Sequence, residues 1–97
     1  IDVWWPVNNA SVSGVFPLKA VVPERMISEY DMYWQVDNGQ LNLMNDSMQD
    51  WPHKESWIDV SGWNWQPSKA YKITFVARSK VSNATIAQQD VTIIVNQ

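Results

Sequence analysis

The chain contains no cysteine, only three glycines and a single histidine among its 97 residues. Without cysteine there are no disulfides and no thiolate chemistry, although this leaves the cellular compartment open. One histidine and no cysteine also exclude a usual zinc site. We therefore expect a fold held together by its apolar core, with no metal and no cofactor.

Basic residues are also few, with seven lysines and arginines against ten acidic residues and a formal net charge of −3. They are scattered, so no face collects the dense positive charge that nucleic acid needs. The longest apolar runs are only a few residues, which excludes a membrane-spanning helix and membrane insertion. The opening residues are not a signal peptide, and residues 1–97 are expected to form a single domain excised from a larger protein.

Tryptophan, by contrast, is abundant, with seven residues in the chain. Each indole buries roughly 150–250 Å² when it is packed, and a domain of this size cannot easily bury seven of them. We therefore expect the tryptophans to divide between the core and an aromatic surface.

Four segments alternate apolar and polar residues with a period of two: residues 15–22, 32–37, 71–78 and 91–95. This alternation predicts half-buried antiparallel strands. Pro17 lacks a ladder donor, so its strand is expected at a sheet edge or with a solvent-facing amide at that position. About seven short strands at this spacing predict an all-β, antiparallel β-sandwich.

The strongest turn signal is Asn38-Gly39, which predicts a type I′ turn and a hairpin of residues 32–37 onto residues 40–44. Residues 24–33 have some helical spacing, but a single turn is favoured there over a full helix. Residues 45–56 show no regular pattern and are interpreted as a long connection.

Three stretches of sequence follow one another in a recognisable order. They are PVNNASVSG at residues 6–14, MYWQVDNG at residues 32–39, and VSGW at residues 60–63 followed by AYKITFVAR at residues 70–78. Together they resemble bacterial immunoglobulin-like (Big-type) domains over most of the chain. The chain departs from that pattern after residue 78 and in the aromatic segment around Trp51. The resemblance implies an immunoglobulin-like sandwich and an extracellular or cell-envelope location.

Several aromatic residues have expected positions in such a sandwich. Trp34 is predicted to lie in the core, and Tyr71 matches the place of a tyrosine corner. Trp4 and Trp5 are adjacent on a strand, so one should face the core and the other should face outward. The resemblance further implies that Trp63 or Trp65 plugs one end of the sandwich.

The remaining indoles suggest a carbohydrate platform built from Trp51, Trp57, Trp63 and Trp65, with Asp59 fixing hydroxyl groups. Pyranose rings stack their C–H faces on aromatic rings, while carboxylates and amides bind the hydroxyls. The sequence favours the alternative, in which these aromatics cover the open side of the sandwich.

The sequence contains only weak indications of catalytic residues. His53 with a nearby serine and aspartate lacks a nucleophile elbow, and a small sandwich offers little cleft for a carboxylate pair. The sequence therefore predicts a non-catalytic spacer module, not an enzyme, that packs on a neighbouring domain of the same polypeptide. The alternatives are a carbohydrate-binding module for polysaccharide or peptidoglycan, and an adhesion domain that pairs through an edge strand.

Overall fold

The computed structural model describes residues 1–47, 49, 51–61 and 69–95, and these residues form an all-β structure. The only helical element among them is one 3₁₀ turn, Ile27–Glu29, which confirms the single turn expected there. The strands are β1 (Asp2–Trp5), β2 (Ala10–Val12), β3 (Val15–Val21), β4 (Tyr30–Val36), β5 (Asn42–Leu43), β6 (Asn45–Asp46), β7 (Lys54–Asp59), β8 (Ala70–Ser79) and β9 (Thr85–Val95). Across the described ranges, no helix is long and apolar enough to cross a membrane.

The strands form two sheets, one in the order β1-β3-β7-β6 and the other in the order β2-β9-β8-β4-β5. Every described neighbouring pair is antiparallel except β2 with β9, which run parallel. The all-β prediction is confirmed, and the two sheets are consistent with a β-sandwich. The described residues contain nine strands instead of about seven because β5 and β6 are separate two-residue pieces.

The core lies where the alternation of the sequence predicts it. Buried side chains recur at every second position: Phe16, Leu18, Ala20, Val22, Met32, Trp34, Tyr71, Ile73, Phe75, Ala77, Val91, Ile93 and Val95. The core position of Trp34 is confirmed, and its Nε1 donates a hydrogen bond to Ser56 Oγ at 3.2 Å. That bond satisfies the one polar group that the indole brings into the core.

The predicted hairpin between β4 and β5 forms, but its turn lies one residue earlier than expected. The positive φ angles belong to Asp37 (49°) and Asn38 (63°), and the Gly39 N–H donates to the Val36 carbonyl at 2.9 Å. Asp37 is fixed there because its N–H donates to the Lys72 carbonyl at 2.9 Å and its Oδ1 accepts the Lys72 N–H at 3.0 Å. Tertiary bonds to β8 therefore decide which residues occupy the turn.

The interpretation of residues 45–56 as one long connection is wrong at both ends. Asn45 and Asp46 form β6, and this strand pairs with the first residues of β7. The pairing is reinforced by Lys54, which is buried and donates from Nζ to Asp46 Oδ1 at 2.6 Å. The same ammonium lies 4.9 Å from the ring centroid of Tyr30. An ion pair and a cation–π contact therefore organise this segment, and neither leaves a periodic pattern in the sequence.

Candidate ligand-binding face

The outer face of the four-stranded sheet carries two exposed indoles. Trp4 on β1 is 53% exposed, and Trp57 on β7 is 60% exposed. The two strands flank β3, so the normal spacing between strands places β1 and β7 about 10 Å apart. We call the surface formed by Trp4, Pro17, Lys19 and Trp57 the indole face.

Trp57 points outward because β7 alternates its side chains between the two faces. Ile58 is buried, whereas Trp57 and Asp59 on either side of it are exposed. This confirms the prediction that Trp57 and Asp59 share one side of their strand.

Trp4 reaches the same face through an irregularity in β1. Val3 pairs with Ala20 and Trp5 pairs with Lys19, so Trp4 is an extra residue between two consecutive pairs. Such a bulge breaks the alternation of side chains and re-aims one of them. Trp4 is therefore exposed, while Trp5 is half-buried, packs against the core and also borders the indole face. The expected division of the two tryptophans between core and surface is met only in part.

Lys19 stands between the two exposed indoles. Its Nζ lies 4.9 Å from the Trp4 ring centroid and 6.0 Å from that of Trp57, and 3.5 Å from Glu55 Oε1. Its side chain is only 9% exposed. An ammonium at these distances is attracted to the face of an indole. Lys19 therefore links the two rings and carries a charge that is largely shielded from solvent.

A shallow apolar cavity of about 360 Å³ opens beside this lysine, lined by Trp4, Trp5, Pro17 and Lys19. Pro17 lies on β3, inside the sheet. Of the two positions expected for this proline, the sheet edge is therefore excluded, and a position where its backbone nitrogen meets no bonding partner remains. Proline is tolerated because the pairs between β1 and β3 end at Lys19, so no bond from β1 is required at Pro17. The Pro17 ring thus forms part of the indole face.

Polar groups surround the indoles. The His53 ring packs on Trp4 with centroids 5.5 Å apart, and Glu55 projects from β7 beside Lys19. Asp59 Oδ1 accepts hydrogen bonds from Ser61 Oγ at 2.6 Å and from the Ser61 N–H at 3.0 Å. These hydrogen bonds hold the pKa of Asp59 below its ordinary value, so its carboxylate is ionised at neutral pH.

The structure brings together only part of the predicted platform. Trp57 and Asp59 lie on the outer face, as expected. Trp51 is exposed but lines a different cavity of about 230 Å³, bordered also by Arg25, Met26, Ile27, Ser28 and Pro52. Trp63 and Trp65 lie outside the described residues.

Sequence reasoning missed Trp4, Pro17 and Lys19 as members of the site. Alternation along residues 15–22 correctly places Pro17 and Lys19 opposite the buried side chains, which is the one local signal available. Their approach to Trp57 depends on the pairing of β3 with β7, where Pro17 is opposite Trp57 and Lys19 is opposite Glu55. That register joins residues about forty positions apart in the chain.

Comparison with known proteins gave no matching family model, no matching curated protein and no matching solved structure. Within the described ranges, no group of three or more histidine, aspartate or glutamate side chains is arranged to hold a metal ion. Two flat apolar rings, a shielded charge and carboxylates at the margin are suited to binding a ligand with both apolar and hydroxyl-bearing surfaces.

Proposed function

We propose that this chain is a non-catalytic accessory module of a bacterial secreted or cell-surface protein, and that its indole face binds polysaccharide. We further propose an immunoglobulin-like topology for its sandwich. The strand order supports this, because β1 belongs to one sheet while β2 crosses to the other and joins β9. A buried tryptophan on β4, Trp34, is a further feature in common with immunoglobulin domains.

The observation that carries the binding function is the exposure of Trp4 and Trp57 on either side of Lys19. Large aromatic rings held in water on one face are energetically unfavourable unless a partner covers them. The Trp4 ring is already oriented by its contact with the Lys19 ammonium, so this ring loses little side-chain entropy when a ligand binds. Sugars are suited to such rings because their C–H faces are apolar and their edges carry hydroxyls.

The experiment is retardation of the chain in native gels that contain soluble glucans or mannans, together with co-sedimentation with cellulose, chitin and peptidoglycan. Trp57→Ala removes an indole from the face. Trp51→Ala is a matched control because Trp51 is 62% exposed and Trp57 is 60% exposed, but Trp51 lines another cavity. We expect the wild type and Trp51→Ala to be retained and Trp57→Ala to be released. If the wild type is retained by none of these polysaccharides, the binding function is wrong.

A second candidate function is packing on a neighbouring domain of the same polypeptide, and a different surface favours it. Met26 is 68% exposed beside Trp51, and methionine and tryptophan are both enriched at protein interfaces. A longer polypeptide that includes the adjoining domain should shift the Trp51 fluorescence and raise the free energy of unfolding of this module. Unchanged fluorescence and stability would exclude this packing.

A further inference from the structure

We infer that the indole face takes a neutral, extended, β-1,4-linked polysaccharide chain that lies across β1, β3 and β7. In this arrangement Trp4 and Trp57 stack on two pyranose rings separated by one intervening ring. The inference rests on the proposed polysaccharide binding and names the class of chain that the face accepts.

The spacing of the two indoles supports an extended chain. Trp4 and Trp57 lie on β1 and β7, two strands that are separated by β3 and therefore about 10 Å apart. The two ring centroids lie 4.9 Å and 6.0 Å from the same Lys19 nitrogen, so the separation of the rings cannot exceed the sum of these two distances. In a β-1,4-linked chain every second ring faces the same way at a comparable repeat. An α-1,4-linked chain coils and would leave an open sheet face after one contact.

The charges of the face support a neutral chain. The Lys19 ammonium is paired with Glu55 and shielded by the indoles, so it offers little attraction to a carboxylate or sulfate on a ligand. Asp59 is ionised and exposed two residues beyond Trp57, and the chain as a whole carries a net charge of −3. Both charges repel polyanions.

Hydroxyl recognition is available along β7. Glu55 and Asp59 project on the same side of this strand as Trp57, one on each side of the indole. Ionised carboxylates accept strong hydrogen bonds from sugar hydroxyls. They are placed to fix the ring that stacks on Trp57, whereas the His53 ring packs against Trp4 at the other end of the face.

The experiment is titration calorimetry with β-1,4-linked gluco- and manno-oligosaccharides, from the disaccharide to the hexasaccharide. We expect the affinity to rise until the oligosaccharide is long enough to reach both indoles, at the trisaccharide or tetrasaccharide, and then to level off. Trp4→Ala and Trp57→Ala should each lower the affinity for the hexasaccharide about tenfold. Trp51→Ala should leave it unchanged.

Two further comparisons keep a folding defect apart from a binding defect. Trp4→Phe and Trp57→Phe retain a flat apolar ring and should bind with intermediate affinity, and thermal unfolding of each variant reports on its fold. Maltohexaose and oligogalacturonate serve as the α-linked and the anionic probes. Neither should bind with an affinity that depends on Trp4 and Trp57.

The possible results separate the two proposals. If maltohexaose or oligogalacturonate binds in a Trp57-dependent manner and the β-1,4-linked series does not, the inference is wrong and the polysaccharide function stands. If the β-1,4-linked series binds but Trp4→Ala has no effect on the hexasaccharide, the two-ring arrangement is wrong. If the folded wild type binds none of the saccharides, the polysaccharide function itself fails.

Discussion

Replacing Lys19 with methionine tests whether a buried ammonium organises the indole face. Methionine keeps a long unbranched stem but removes the charge. In the wild-type protein this charge lies 4.9 Å from the Trp4 ring centroid and 3.5 Å from Glu55 Oε1, and the lysine side chain is 9% exposed. The substitution therefore removes two attractions at once without opening a large cavity.

The expected magnitude follows from these contacts. The cation–π contact with Trp4 contributes about 1 kcal/mol in a partly desolvated setting, while the contact with Trp57 at 6.0 Å lies at the limit of the interaction. The ion pair with Glu55 adds about 0.5–1 kcal/mol. Part of the stability lost with these two contacts is regained, because a methionine side chain has no charged group that must be desolvated on folding. We expect Lys19→Met to lower the free energy of unfolding by about 1 kcal/mol and Tm by about 4–8 °C.

The assay is urea unfolding followed by far-ultraviolet circular dichroism, since the substitution itself alters tryptophan fluorescence. Lys80→Met is the matched control because its Nζ lies 3.8 Å from Asp31 Oδ1 with both side chains well exposed. Exposed pairs of this kind contribute little, so the control should change stability by less than about 0.5 kcal/mol. If the two variants unfold with the same free energy, the ammonium does not organise the face.

Three other predictions follow from the fold. Gly39→Ala would place a Cβ 3.0 Å from the Val36 carbonyl oxygen, so we expect a loss of about 1 kcal/mol in urea unfolding, and a neutral result would contradict the turn geometry. Burial raises the pKa of Tyr30 above 10.0, so as pH rises the unfolded chain releases this proton before the folded chain does. The free energy of unfolding should therefore fall as pH rises from 10.0 through the folded pKa. Tyr30→Phe should make the free energy of unfolding less dependent on pH in this alkaline range. The lowered pKa of Asp59 gives a contribution that is complete above pH 3.8 and is lost as pH falls through the folded pKa. Ser61→Ala should therefore weaken the dependence of the free energy of unfolding on pH in acid. An unchanged dependence would show that the Ser61 hydroxyl does not lower the pKa of Asp59.

Much of the secondary structure could be predicted from the sequence because its causes are local. A strand with one buried face must alternate apolar and polar residues, and this pattern correctly placed Leu18, Met32 and Ile73 in the core. The same alternation put Trp57 and Asp59 together on one side of β7. The core position of Trp34 followed from its place in the second alternating segment, residues 32–37.

Local patterns failed where a contact from another strand made the decision. The Asn38-Gly39 pair is a good type I′ sequence, yet the two hydrogen bonds between Asp37 and Lys72 move the turn back by one residue. Trp4 and Trp5 alternate in an ideal strand, yet a bulge against Ala20 and Lys19 turns Trp4 outward and leaves Trp5 half-buried.

The sequence by itself determined that this protein is built from β-strands with an excess of tryptophan and no cysteine. It did so because composition can be counted directly and alternation depends only on residues that are neighbours in the chain. Only the tertiary structure decided that Trp4, Lys19 and Trp57 form one surface. These residues come from three strands, and their meeting depends on the register of β3 with its two neighbours, which is set by hydrogen bonds and packing between distant parts of the chain.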